Sequence, residues 1–339
     1  MMKRILVTGG TGYIGSHTAV ELIENNYDVV LLDDLSNSKI DVIDNIEKIT
    51  SVRPDFHKLN LCNIRDVQKS IDQYDQVDGI IHFAASKAVG ESVAKPLYYY
   101  RNNLVSMMNL IDCMKQYHIP NMVFSSSCTV YGQPDNLPVD EEAEFKKAAS
   151  PYGNTKQICE EILRDVSISE EDLQFVALRY FNPAGAHESA LIGELPNGVP
   201  NNLVPFITQT AAGLRDQLKV FGDDYNTHDG TAVRDYIHVV DLANAHLKTI
   251  ERLIEGKNKA GYEYFNIGTG NGYSVKDAIL AFERSTGQKL NYEVAPRRSG
   301  DIDKIFANPQ YANAELGWKA ERSLEEMMKS AWEWQKTLA

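Results

Sequence analysis

The stretch Thr8-Gly9-Gly10-Thr11-Gly12-Tyr13-Ile14-Gly15 comes straight after the apolar run Ile5-Leu6-Val7. Beyond it, Ala19, Leu22 and Ile23 fall at helical spacing, so the glycines are predicted to turn a first strand into a first helix. Gly9 allows the tight turn, Gly12 lets backbone approach a pyrophosphate, and Gly15 permits close packing of helix on strand. The helix N-terminus then offers N–H groups and a positive dipole end to an anion. Any strand-to-helix turn can be glycine-rich, so the context decides. A second apolar run, Val29 to Leu32, ends in Asp33 and Asp34, at about the 20-residue distance expected for a ribose-binding acid. A carboxylate there accepts hydrogen bonds from free ribose hydroxyls and repels the extra phosphate of NADP. The expected cofactor is NAD.

The chain has 339 residues and a formal net charge of −13. With no basic excess to neutralise phosphates, nucleic acid is not expected as a partner, and any anionic ligand must be held by local arginines. The four cysteines, Cys62, Cys113, Cys128 and Cys159, show no metal-binding spacing. No signal peptide precedes them, because the apolar residues after Lys3-Arg4 run into the glycine turn. They read as reduced thiols of a cytoplasmic protein. No apolar stretch approaches the roughly 20 residues of a membrane span. No metal is expected.

Short apolar runs at Ile5–Thr8, Val29–Asp33, Phe56–Leu59, Gly79–Ala84, Met122–Ser126 and Phe175–Tyr180 alternate with helical stretches. That pattern predicts an α/β fold built on a doubly wound parallel sheet of Rossmann type. From about Asn182 the texture becomes rich in Gly, Pro and Asn, as in Gly193 to Pro200. We therefore expect a nucleotide-binding region, 1–181, and a smaller loop-rich part, 182–339, lying over the strand ends. Regular segments return within it: a strand at Tyr264–Ile267, and a helix opened by the capping-box candidate Ser274 with Asp277 and stopped at Gly287.

Tyr152 and Lys156 stand one helical turn apart, so their side chains share a face. They follow a strand that ends in Ser125-Ser126-Ser127, at the carboxyl edge where open sheets place their sites. Removing hydride from a carbinol requires its hydroxyl proton to leave. A phenol, with a pKa of about 10, is a poor base at neutral pH unless positive charge favours the phenolate. Lys156 and an oxidised nicotinamide would supply it. The Ser127 hydroxyl could hold the same substrate oxygen, although a strand-end hydroxyl can equally serve the backbone.

With these features the chain resembles the extended short-chain dehydrogenase/reductases, and within them the branch of 4-epimerases acting on UDP-galactose. The likeness runs over nearly the whole chain and rests on the glycine turn, His82 to Ser92, Ser127 to Gly132, Tyr152 with Lys156, Arg179 to Pro183, Val233 to Val239, and Pro296 to Asp301. It implies an NAD site at Gly9, Gly12, Tyr13, Ile14, Gly15, Asp33, Asn37, Ser38, Asn60 and Leu61. Phe83, Ala84, Lys87, Asn102, Ser127, Tyr152, Lys156 and Phe181 would complete it. The family usually has aspartate where Asn60 stands. The UDP-hexose would meet Ser127, Tyr152, Asn182, Asn202, Leu203, Lys219, Val220, Phe221, Arg234, Arg298, Asp301 and Ile305. Arginine suits diphosphate because its planar fork makes several charge-assisted bonds, but Asp235 and Asp301 could instead pair with these arginines on the surface. Ile305 falls at the family position that lines the hexose pocket, where tyrosine excludes and cysteine admits an N-acetyl group.

The resemblance implies proton removal from the sugar 4-hydroxyl by Tyr152, hydride transfer to NAD, and return of hydride to the other face of a rotated 4-keto sugar. NAD would be tightly bound and recycled. A homodimer is also implied, through a helix at Tyr98–Tyr117 whose apolar face carries Leu104, Met107, Met108 and Ile111. A sugar-nucleotide 4,6-dehydratase shares the oxidation step but needs an Asp–Glu pair where this chain has Cys128-Thr129. A nucleotide-sensing protein that had lost catalysis would be expected to break the Tyr–Lys–Ser set, and all three residues are present.

Overall fold

The computed structural model describes residues 2–298 and 302–338. The first half alternates β1 Arg4–Thr8, α1 Tyr13–Glu24, β2 Asp28–Asp33, α2 Asp41–Thr50, β3 Asp55–Lys58, α3 Ile64–Ile71 and β4 Gly79–His82. It continues with α4 Val89–Ala94, α5 Pro96–Tyr117, β5 Asn121–Ser127, a 3-10 turn Cys128–Tyr131, α6 Pro151–Ser169 and β6 Gln174–Tyr180. The remainder carries β7 Asn182–Ala184, α7 Leu203–Ala211, β8 Leu218–Phe221, β9 Val233–Arg234, β10 Tyr236–His238, α8 Val239–Ile254 and β11 Tyr262–Ile267. The last elements are β12 Tyr273–Ser274, α9 Val275–Thr286, β13 Tyr292–Ala295, β14 Lys304–Ile305, α10 Gln310–Leu316 and α11 Leu324–Thr337.

Seven strands form one sheet in the order β11-β6-β5-β4-β1-β2-β3, and every neighbouring pair is parallel. The order reverses between β1 and β4, which makes that crevice the switch point of a doubly wound fold. Side chains alternate between two cores with the strand period of two. Ile5 and Val7 join one cluster with residues of α1 and α8, while Leu6 joins the other with residues of α3 and α5. Both faces of the central strands are therefore buried, which is why those strands read as continuous apolar runs, while edge strand β3 leaves Asp55 and Lys58 exposed.

The strand expected at Tyr264–Ile267 is β11, and it pairs with β6 at the sheet edge. The helix after Ser274 forms as expected: both halves of the capping box with Asp277 are made, and Gly287 ends it in the left-handed conformation at φ 72°. Sequence reading gave no helix at Val239–Ile254, yet α8 packs on α1 and on β4, β5 and β6. The apolar face expected on α5 is split. Met107 and Ile111 are buried against the sheet, whereas Met108 is 44% exposed, because adjacent residues on a helix stand about 100° apart.

The turn between β1 and α1 is packed backbone on backbone. A Cβ on Gly15 would lie 2.2 Å from the Gly9 carbonyl oxygen, and one on Gly10 would meet the Leu31 side chain at 2.7 Å. Gly9 itself has φ +66° and sits against the Ala84 N–H, 2.9 Å from its hypothetical Cβ. Alanine normally stabilises a helix interior by about 1 kcal/mol over glycine. Here Gly15→Ala is expected to destabilise the protein instead, by about 1–3 kcal/mol of overpacking, read as a lower Tm. A Tm unchanged or raised would contradict this packing.

Candidate active site

The N-cap of α1 is Gly12, which has no side chain to cap the helix, and no acidic residue stands in its first turn. The positive end of the helix, with the N–H groups of Tyr13 and Ile14, is thus left to an external anion. The Tyr13 phenol reaches across the crevice and donates to the Gly185 carbonyl at 2.6 Å. At the end of β2, Asp33 accepts from the N–H groups of Thr11 at 3.2 Å and Leu35 at 2.8 Å, and from the Ser38 hydroxyl at 3.1 Å. The acid is thereby oriented beside the glycine turn, where the ribose reading needs it. These features fit NAD: a cradle that any Cβ would fill, an open helix N-terminus and a carboxylate beside it.

The loop-rich part meets this edge. Asn197 donates to the Asn37 side-chain oxygen at 3.2 Å, and Asn45 of α2 donates to the Leu191 carbonyl at 3.0 Å. Farther along, the Asn60 side-chain oxygen accepts from the Cys62 N–H at 2.8 Å, and Leu61 is buried. Phe83 packs its ring on buried His246 with centroids 4.6 Å apart. Ala84 donates its N–H to the Thr8 hydroxyl at 3.3 Å, and Asn102 donates to Ser86 at 3.2 Å. Lys87 is exposed at the same edge.

Tyr152 and Lys156 lie on α6, whose start is fixed by Pro151 and by the Ser150 side chain accepting from the Gly153 N–H at 3.2 Å. Lys156 is only 3% exposed. Its ammonium donates to the Ser125 carbonyl at 2.6 Å and stands 4.7 Å from the Phe124 ring centroid and 5.9 Å from that of Tyr152. Burial pulls its pKa down to about 8, with Cys159 and Glu160 pushing the other way. Burial raises the Tyr152 phenol above its ordinary value, as does the neighbouring Tyr180, while a hydrogen bond with Ser127 lowers it. The Ser127 hydroxyl oxygen accepts from the Thr129 N–H at 3.2 Å, so its own proton is available to donate. The backbone-serving and the catalytic readings of Ser127 are therefore compatible. Tyr180 and Ser125 hydrogen-bond to each other beside this trio.

On the other side of the crevice, Asn182 lies in β7 and Asn202 stands at the N-cap position of α7 without a side-chain capping bond, ahead of Leu203. The Asn202 amide donates to Glu194 at 2.6 Å. In β8, Val220 is buried, Lys219 is exposed beside Glu293, and the Phe221 ring lies under the Arg298 guanidinium, 5.0 Å from its centroid. Arg234 in β9 donates to the carbonyls of Val233 at 2.8 Å and Ile302 at 2.9 Å. The Asp235 carboxylate is buried and accepts from Thr269, Gly270 and Ala307. Arg297 of the Pro296 motif makes a surface ion pair with Asp224 at 2.7 Å. Ile305 is Cα-paired with Arg234 and is 4% exposed in a small cluster with Cys128, Tyr131 and Phe181. Phe181, expected beside the cofactor, thus shares a buried cluster with Ile305. Asp301 lies outside the described residues.

Two groups escaped the sequence reading. Buried Asn103 holds the loop after β4 to α6: it accepts from the Ser86 N–H at 2.9 Å and donates to Thr155 at 3.0 Å. Glu160, one turn beyond Lys156 on α6, and Arg179 form a buried ion pair with a closest contact of 2.7 Å. The signal for Glu160 was its place one turn after Lys156 on a face that is otherwise buried.

A family model described as GDP-mannose 4,6 dehydratase matches residues 6–331. The UDP-glucose 4-epimerase of Bacillus subtilis is 49% identical over 98% of this chain and 96% of its own length. A crystal structure of UDP-glucose 4-epimerase from Bifidobacterium longum in complex with NAD+ and UDP superimposes with a TM-score of 0.94 at 44% identity, covering 99% of this chain and 98% of that one. A Stenotrophomonas maltophilia epimerase with bound NAD and formylated UDP-arabinopyranose gives a TM-score of 0.96 at 45% identity over 100% and 99% of the two chains. With this cradle, this Tyr–Lys–Ser set and likeness over its full length, the chain belongs to the UDP-glucose 4-epimerase family of the extended short-chain dehydrogenase/reductases.

Proposed function

We propose that this protein interconverts UDP-galactose and UDP-glucose by inverting C4 of the hexose with tightly held NAD. The observation that carries the reading is the convergence of Tyr152, Lys156 and Ser127 at the carboxyl end of β5, in a chain whose next residues are Cys128-Thr129. A dehydratase would need a carboxylate pair there to eliminate water. Residues 182–339 mainly serve the nucleotide sugar, with α8 and β11 returning to the sheet. The cysteines are free thiols, three of them buried, which supports a cytoplasmic location. Among the described residues no helix is long and apolar enough to cross a membrane. Val89, Val93, Leu97, Tyr98 and Met108 expose an apolar surface on α4 and α5, and we assign it to a second copy in a homodimer.

The glycine turn with Tyr13 and Ile14, then Asp33, Asn37, Ser38, Asn60, Leu61, Phe83, Ala84, Lys87 and Asn102 would hold NAD. When bound, it supplies the hydride acceptor for C4 and afterwards the donor. Tyr152 takes the proton of the 4-hydroxyl, directly or through Ser127. The Lys156 ammonium, held on the Ser125 carbonyl, stabilises the phenolate that burial alone disfavours. Asn182, Asn202, Leu203, Lys219, Val220, Phe221, Arg234 and Arg298 anchor UDP, so that the hexose can turn while the nucleotide stays. Ser127 then meets the same oxygen on either face of the sugar.

The direct test is to incubate the purified, dialysed protein with UDP-galactose and no added NAD. UDP-glucose should form. Strict dependence on fresh cofactor, or preference for NADP, would overturn the recycled NAD reading and the role given to Asp33. Tyr152→Phe keeps the ring but loses the proton acceptor. Its kcat should fall about 10²–10⁴-fold with UDP affinity nearly unchanged, and turnover within about threefold of the parent would reject Tyr152 as the base.

Ile305 sets the last expectation. Its β-branched side chain is stiff and buried beside Cys128 and Phe181, an apolar wall with no partner for an amide. Burying an acetamido group there without a hydrogen bond would cost on the order of 1–3 kcal/mol. UDP-hexoses should be strongly preferred over their N-acetyl derivatives, and Ile305→Cys should raise the N-acetyl activity. Comparable kcat/KM for both classes in the parent protein would sink this assignment.

A further inference from the structure

On the face of β5 that packs against α6, a single buried carboxylate of that helix joins side chains from three strands. Glu160 lies on α6, four residues beyond Lys156, and is 3% exposed. Arg179 of β6, equally buried, grips it through Nε at 3.1 Å to both oxygens and through a terminal nitrogen at 2.7 Å. The Ser126 hydroxyl of β5 donates to one oxygen, and the Tyr262 hydroxyl of β11 donates to the other at 2.7 Å. Ser126 and Arg179 are Cα partners in the sheet, which is why both side chains meet α6 on one face.

Burying a charged pair is expensive and is often no better for stability than apolar packing. A pair so fully satisfied therefore invites a reason other than stability. Ser126 precedes Ser127, and alternation along the strand sends the two side chains to opposite faces. Holding Ser126 from behind fixes the position of Ser127 in front. The carboxylate that holds Ser126 rides on the helix that carries Tyr152 and Lys156. Arg179 extends the restraint: it donates to the Tyr131 hydroxyl at 3.0 Å, at the end of the 3-10 turn that starts beside Ser127.

We infer that Glu160, Arg179 and Ser126 are positioning residues for the reaction, setting the separation of the Ser127 hydroxyl from the Tyr152–Lys156 face of α6. This rests on the epimerase reading given above. None of the three touches the reacting atoms, so nucleotide binding should not depend on them. Proton transfer should, because a displacement of about an ångström can cost about a hundredfold in rate.

The test uses the protein as purified, with its own NAD. Ser126→Ala cuts only the tether to the strand and leaves the ion pair intact. Its kcat on UDP-galactose should fall about tenfold or more, with KM, UDP affinity by calorimetry, NAD content and Tm close to the parent. A kcat within about twofold of the parent, or a kcat loss that follows lost NAD or lowered Tm, would overturn the inference. Glu160→Gln leaves Arg179 buried and unpaired and should lower Tm. Adding Arg179→Met should recover Tm but not kcat, and recovery of both would mean that the pair serves stability alone. If the parent protein itself fails to epimerise UDP-galactose, the reading beneath this inference fails. If the parent turns over and Ser126→Ala equals it, only the inference fails.

Discussion

The first helix of this chain starts where it does because three glycines let backbone touch backbone. A Cβ on Gly15 would stand 2.2 Å from the Gly9 carbonyl oxygen, inside any tolerable contact, so α1 can lie this close to the end of β1 only without one. The close approach brings the positive end of the helix to the carboxyl edge of the sheet, next to the switch point between β1 and β4. It also aligns Asp33, whose carboxylate is steered by the Thr11 N–H of the same turn. The cofactor cradle is thus a steric consequence of the turn, with the electrostatics of the helix terminus following from it.

The catalytic half of the site depends on a second constraint, the burial of charge. Burial draws the Lys156 pKa down to about 8 against the opposing pull of Cys159 and Glu160, and a carbonyl and an aromatic face receive the ammonium. Tyr152 shows the opposite balance: the same desolvation that weakens an ammonium also disfavours a phenolate. Burial thus works against the charged form of both members of the Tyr152–Lys156 pair. The pair can exist here because α6 is fixed at its start by Ser150 and along its length by Glu160.

Much of this was legible in the sequence, for a physical reason. The central strands of the main sheet are buried on both faces, so they read as apolar runs, and the observed bounds of the sheet strands differ from the expected ones by a residue or two. The helix after Ser274 was legible because its capping box and its Gly287 stop are local chemistry. The small strands were not. Val233–Arg234, Tyr273–Ser274 and Lys304–Ile305 are two residues long and exist only through pairing with each other, so nothing in their local sequence announces them. The helix at Val239–Ile254 does carry an apolar face, but it follows directly on Tyr236–His238 with no glycine or proline to mark the border.

Glu160 and Arg179 were hidden for a different reason. A charged residue normally breaks an apolar face and is assigned to solvent, and nothing in a linear pattern reveals that two such breaks, on α6 and β6, will face each other. Their chemistry appears only when the sheet register places Arg179 opposite Ser126. The motifs visible in the sequence are those whose residues act from one element, such as the glycine turn or Tyr152 with Lys156. What the sheet adds is the fixed separation between elements, here between Tyr152 on a helix and Ser127 on a strand.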